Sequence, residues 1–348
     1  MKPITAAVAL GLLLGFGGRA GAQFDIVIAP GSALAGNALA LAAVNRAAAA
    51  WEARISDPIT ITIGADFAAL GGSTLALGSS VNLQVSYNTV RNQLVADAAN
   101  EADDAVVGFL PTAAQFSAIL PAGRSLSGNV FGTKANLKAM GFAGLDGVFG
   151  ASDGTVTFNG SLTFDFDSSD GVTAGTVDLQ TLAAHYIGQM LGFTSAVDAV
   201  NSGATAVSPL VLDLFRFTDN VAGQDPATNA EFTFFPRNLT PGASVITDDL
   251  AHEYAMSTGT ANAGFPGTDG HEAGNWKADE LSGTTTLGVM DPTLATGVAY
   301  GPSEADFRAL DLIGYEVAPV PEPTVALLLF GGGGVLLRRR PLRTRDRG

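Results

Sequence analysis

"LAAHYIGQMLGF", Leu182 to Phe193, is the stretch whose reading decides the rest of the chain. Asp178 fits an N-cap and Gly192 a C-terminal stop, so a helix is expected between them. Leu179, Leu182, Ala183, Tyr186, Ile187, Met190 and Leu191 recur at helical spacing and define a stripe for burial. Asp178, Thr181, His185 and Gln189 run along another face. His185 and Gln189 stand one turn apart, the spacing at which two side chains approach one metal ion.

Set against the zinc-hydrolase pattern H-E-x-x-H-x-x-G, the helix keeps the first His (His185) and the Gly (Gly192), with Tyr186 in the place of Glu and Gln189 in the place of the second His. In a working site both histidines bind zinc through neutral imidazole nitrogen, and the Glu takes a proton from zinc-bound water. The phenol of Tyr186, with an ordinary pKa of about 10, cannot replace a carboxylate base, and its place in the apolar stripe argues for packing. Gln189 offers a neutral amide oxygen, a poor zinc ligand beside imidazole. Taken alone, the helix reads as a core helix that carries one histidine.

The two ends are targeting segments. Residues 1–22 contain Lys2, an apolar run from Ile4 to Phe16 and the small residues Ala20-Gly21-Ala22, which together read as a secretory signal. Residues 319–348 contain Pro321-Glu322-Pro323, an apolar Gly-rich run and Arg338-Arg339-Arg340. In that order the three parts resemble the PEP-CTERM sorting tails of Gram-negative bacteria. The resemblance implies export, an inner-membrane anchor through the tail, an exosortase-type sorting machinery as partner, and a final place at the cell surface or outside the cell. A permanent tail anchor held by its basic flank is the alternative.

Between the ends, ten basic residues face 32 acidic ones through Pro323. Such a surface repels phosphate backbones, which argues against nucleic acid as a partner, and it suits divalent cations. The chain has no Cys, so disulfides, thiolate ligands and Cys nucleophiles are all excluded.

Phe24–Pro30 and Ile59–Phe67 alternate as strands, and the Ala-rich run Ser32–Ile55 is strongly helical, giving a crossover unit. Asn88–Asp104 can form a helix, and "GTVTFN" and "SLTFDFD" suit a hairpin. Neither a repeat nor a linker is visible, so residues 23–318 are expected to form one domain.

Three separated segments carry a wider resemblance: Thr163–Phe193, "HEAGNWKADELSGTTTLGVMDPTL" (His271–Leu294) and "SEADFRALDLIGYEV" (Ser303–Val317). In this order they resemble PEP-CTERM-associated bacterial zinc metallopeptidases, similar in arrangement to the leishmanolysin-like metzincins. The resemblance implies an α+β, zincin-like domain with a twisted N-terminal sheet, the motif helix packed on it and a smaller C-terminal part, the cleft lying between. It implies zinc as cofactor, held by residues at the positions of His185, Gln189 and Asn275, with Tyr186 at the general-base position and Met290 in the turn beneath the metal. Of these positions His185 and Met290 keep the family residue, so the expectation is a degenerate member, a pseudopeptidase that binds polypeptide or extracellular polysaccharide matrix and holds no zinc or holds it weakly. An active metallopeptidase with substituted ligands, and a structural surface protein, are the alternatives.

Substitute ligands would have to come from His252, His271, Glu272, Asp198 or Asp279. His271 or Glu272 reaches the pocket if its segment turns back. The acidic loops Asp165–Gly171 and Asp225–Glu231 invite a calcium reading, but neither has the alternating carboxylates of a calcium loop, and turn chemistry accounts for them.

Overall fold

The computed structural model describes residues 23–101, 103–283 and 286–319. The signal segment, and the sorting tail from residue 320 onward, lie outside the described residues. Asp25–Pro30 and Thr60–Ala68 pair in parallel, with Asp25 opposite Thr60, and a helix over Ala38–Glu52 connects them as expected. That helix does not run unbroken from Ser32. A single turn, Ser32–Ala35, stops at Gly36, and Asn37 starts the helix afresh by accepting the Ala40 N–H. A glycine followed by a capping residue overrides the propensity of the alanine run at one point.

The main sheet has the order Asp25–Pro30, Thr60–Ala68, Gly154–Asn159, Ala76–Ser80, the first three strands parallel and the last antiparallel to its neighbour. The expected hairpin is therefore absent. Gly154–Asn159 inserts between two strands from much earlier in the chain, and Phe164–Asp165 pairs in parallel with Val177–Asp178. A period of two identifies a strand without naming its partner. Here Asn159 selects it: its buried amide donates to the Leu70 and Thr74 carbonyls and accepts the Leu70 N–H, fastening the strand end to the 69–75 connection.

Beneath the sheet the Ala-rich helix packs on the motif helix, Leu179–Leu191. Ala43, Ala47 and Ala48 on one and Ala183 and Ala184 on the other are all buried, and side chains this small let two backbones approach closely. Trp51 is fully buried at the crossing. Its indole N–H donates to the Ala184 carbonyl at 3.0 Å, and its ring meets Phe307 edge-on at 5.4 Å. Phe307 belongs to the last helix, Glu304–Leu312, which Ser303 and Asp306 start with a capping box. The C-terminal part also has an antiparallel sheet of Arg216–Thr218, Val245–Asp248 and Glu253–Ala255. The described residues form a mixed α/β structure of ten α-helices and six small sheets. The expected helix over Asn88–Asp104 is shorter, Tyr87–Asp97 followed by a 3-10 turn.

The end of that helix gathers like charges. Burial, with the neighbouring charges of one another, Asp104 and Glu316, pushes Asp57, Asp97 and Asp311 up to about 7 and Glu101 up to about 9. Each of these acids has a folded-state pKa above its unfolded value, so the folded protein binds more protons and stability falls as pH rises from about 4 through 7 and beyond. Asp66, Asp165 and Asp167, held low by hydrogen bonds, act only below the ordinary carboxylate range, and His185, lowered by burial, opposes the trend near the ordinary imidazole value as one group against the four raised acids. The thermal midpoint is therefore expected to be higher at about pH 5.5 than at about pH 8. Calorimetry showing the reverse order would contradict this.

Candidate functional site

Asp178 caps the motif helix by accepting the Thr181 N–H at 2.9 Å, and the chain leaves the helix through Gly192 at φ +142°. Six of the seven stripe residues are buried. Tyr186 is the exception, a correction to its expected place in the core. It lies at the border of the stripe next to His185 and faces the edge strand Ala76–Ser80. Its hydroxyl donates to the Ala76 carbonyl at 2.7 Å, and its ring covers Gly78, where a Cβ would lie 2.4 Å from a ring carbon. Only glycine leaves room for the ring there. Burial pushes the phenol up to about 12, so Tyr186 keeps its proton and cannot serve as a base near neutrality.

His185 is neutral, because burial lowers its pKa against the opposing effects of the Val289 carbonyl and the nearby carboxylates. Its Nδ1–H donates to the Val289 carbonyl at 2.9 Å, which leaves Nε2 with a lone pair. Such a backbone bond commonly orients a metal-binding imidazole. Here the lone pair meets the Gln189 amide nitrogen at 3.2 Å, and the same nitrogen donates to Glu272 Oε2 at 2.6 Å. A carboxylate only accepts, so the amide nitrogen must face Glu272, and its two hydrogens serve Glu272 and His185. Gln189 thus aims an N–H at the electron pair a metal would need.

Glu272 reaches this point because its segment turns back. Asn275 N donates to the Glu272 carbonyl at 3.1 Å, and Gly274 lies so close to the end of the motif helix that a Cβ would come within 2.6 Å of the Thr194 backbone. Asn275, the expected distal ligand position, makes no hydrogen bond with His185 or Gln189, whose partners are Val289, Glu272 and each other. It is buried, its side-chain oxygen has no hydrogen-bond partner, and it lines neither cavity of the cleft. Met290 does lie beneath the helix. A Cβ at Gly188 would be 2.3 Å from its sulfur, which is why a glycine sits at that point of the motif.

The cleft has two cavities along the edge strand. One, of about 260 Å³, is lined by Leu75, Ala76, Leu182, His185 and Leu294; the other, of about 310 Å³, by Gly78, Ser80, Gln189, Asp198 and Glu272. The Tyr186 ring against Gly78 lies between them, Tyr186 lining the first and Gly78 the second. Tyr186, standing where the general base was expected, therefore lies between the two cavities, and Gln189, at the second ligand position, lines the second.

The remaining candidates, Asp198 excepted, lie elsewhere. His252 is exposed, bonded to Asp249 at 3.2 Å and stacked on Tyr254. The backbone of His271 bonds Asp269 and Ser257. Asp198 lines the second cavity, but both its oxygens accept the Ala273 N–H, and burial pushes it up to about 7. Asp279 bonds Thr286 and groups with Glu280 and Asp291. In the first acidic loop Asp165 and Asp167 close turns, as expected; in the second, Thr228 and Glu231 cap a short helix. The residues at the motif do not fit zinc. One imidazole nitrogen is present, its lone pair is matched to an N–H, and Asn275 is buried outside both cavities.

Compared with family profiles, curated proteins and solved structures, the chain finds no match. Glu272 reaches the pocket as expected if its segment turned back, through the turn at Gly274, but its bond to Gln189 was not readable, nor was the covering of the edge strand, which depends on the absence of a side chain at Gly78. The glycines were the signal, but a glycine does not say what approaches it.

Proposed function

We propose that this chain is an exported, zincin-like protein without peptidase activity, whose cleft binds extended polypeptide. The reading is supported by a His-bearing helix beneath a mixed sheet, an antiparallel edge strand facing that helix, and Met290 packed under Gly188. The observation that carries it is the amide N–H of Gln189 on the lone pair of His185. Export rests on the signal segment and on the Pro321-Glu322-Pro323 tail, with sorting machinery as the transient partner.

The edge strand favours peptide as the ligand. Leu75 O accepts the Asn159 N–H and Val81 N donates to Asp153 O, so the alternate residues Ala76, Gly78 and Ser80 turn their backbone polar groups toward the cleft, where the Ala76 carbonyl already accepts the Tyr186 hydroxyl and a peptide would pair with the Gly78 and Ser80 positions. A peptide strand can add along such an edge. The test is retention of unstructured library peptides by the full chain, with mass spectrometry of what is retained after overnight incubation. We expect intact peptides, and a loss of affinity of about tenfold or more when Leu294→Trp fills the first cavity. Chelator-sensitive cleavage would instead show an active metallopeptidase, and no retention would favour a structural surface protein.

A further inference from the structure

Outside the cleft, three carboxylates converge on the small antiparallel sheet. One oxygen each from Asp225, Asp248 and Glu253 lies within 4.8 Å of the others. Asp248 and Glu253 are directly opposed across the hairpin, an arrangement that is unfavourable for like charges. Asp225 arrives from another part of the chain, at the end of a loop it closes by accepting the Asn220 N–H at 2.8 Å.

A second observation points to a ligand. Asp248 is fully buried, and while its Oδ1 accepts the Leu250 N–H, its Oδ2 has no hydrogen-bond partner. A buried carboxylate oxygen without a donor is costly unless something positive meets it. No basic side chain pairs with it among the described residues. Arg237, whose charge is felt at this distance and whose Nη2 is itself buried without a partner, donates through its other nitrogens to the carbonyls of Leu214, Phe232 and Phe235 and stacks on Phe217 and Phe232, and no ion pair joins it to Asp248. Asp225 is partly exposed and Glu253 exposed, which leaves water access on one side.

We propose that Asp225, Asp248 and Glu253 form a calcium site that fastens the loop ending at Asp225 to the hairpin of the C-terminal sheet. Hard oxygen ligands, water on the open side and the absence of nitrogen or sulfur donors suit calcium over zinc. The acidic groups Glu101, Asp104, Asp311 and Asp279, Glu280, Asp291 contain no buried oxygen without a partner, so neither carries the same inference.

The test is a titration of the chelator-treated full chain with calcium chloride, followed by its thermal midpoint. With an affinity in the range of extracellular calcium modules, roughly 10⁻⁴–10⁻³ M, the midpoint is expected to rise by about 5 °C once calcium is in large excess. Asp248→Asn, which keeps the acceptor for Leu250, and Glu253→Gln, at an exposed position, should each remove the rise. Asp279→Asn should leave it intact. If Asp248→Asn does not fold, Glu253→Gln decides alone. No rise in the wild type, or a rise unchanged in Glu253→Gln, overturns the assignment.

Discussion

Asp306→Ala is expected to cost about 4 kcal/mol or more, which would leave the C-terminal part unfolded under mild denaturant. Asp306 is fully buried, and four N–H groups converge on it. Oδ1 accepts the Trp276 indole at 2.7 Å and Met290 N at 3.3 Å; Oδ2 accepts Val289 N at 2.9 Å and Ser303 N at 2.7 Å. Removing the carboxylate leaves these buried donors unpaired, at about 1–3 kcal/mol each before relaxation. Burial raises the pKa of Asp306 while the donors oppose the shift. The same residue connects stability to the cleft, because the Val289–Met290 segment it holds supplies the carbonyl bonded to His185 and the sulfur beneath Gly188. Equilibrium urea unfolding measures the loss; a change below about 1 kcal/mol would mean that the 288–290 turn is held by other contacts.

Much of this architecture was legible. The two alternating strands, the helix between them, the motif helix and both of its caps lie where local pattern places them, because each is specified by residues close in sequence. Strand partners were not legible. Gly154–Asn159 alternates well enough to pass for half of a hairpin, and only the buried Asn159, bonding to residues 70 and 74, shows that its end belongs elsewhere.

The site followed the same division. The His185 to Gln189 spacing and the packing of Met290 came from sequence. The role of Tyr186 did not, since a residue at the border of an apolar stripe faces core or cleft according to what lies opposite, and opposite it is Gly78. Asn275 was placed by its position in a motif and is buried outside both cavities, while the turn at Gly274 brings Glu272 to Gln189, the outcome expected if that segment turned back. Asp225, Asp248 and Glu253 come from separate segments, and no spacing rule joins them.

Gln189→His is expected to change metal content from none to about one zinc ion per chain. The substitution removes the N–H now aimed at His185 and puts an imidazole one turn along the same face, while Glu272, already bonded to position 189 at 2.6 Å, is placed to give a carboxylate. Two histidines and a glutamate form a known zinc ligand set, with distances of about 2.0–2.2 Å. Asn275 is buried and lines neither cavity, so adding Asn275→His should bring no further gain. The variant should remain inactive, because Tyr186 holds its proton and a zinc-bound water would lack a base. The most direct measurement is the zinc content, by elemental analysis, of the wild-type chain and of Gln189→His after equal exposure to zinc and dialysis. The account predicts no retained zinc in the wild type and about one ion per chain in the variant, lost again when His185→Ala is added. Stoichiometric zinc in the wild type that disappears with His185→Ala would contradict it, because the lone pair of His185 would then serve a metal and not the amide of Gln189.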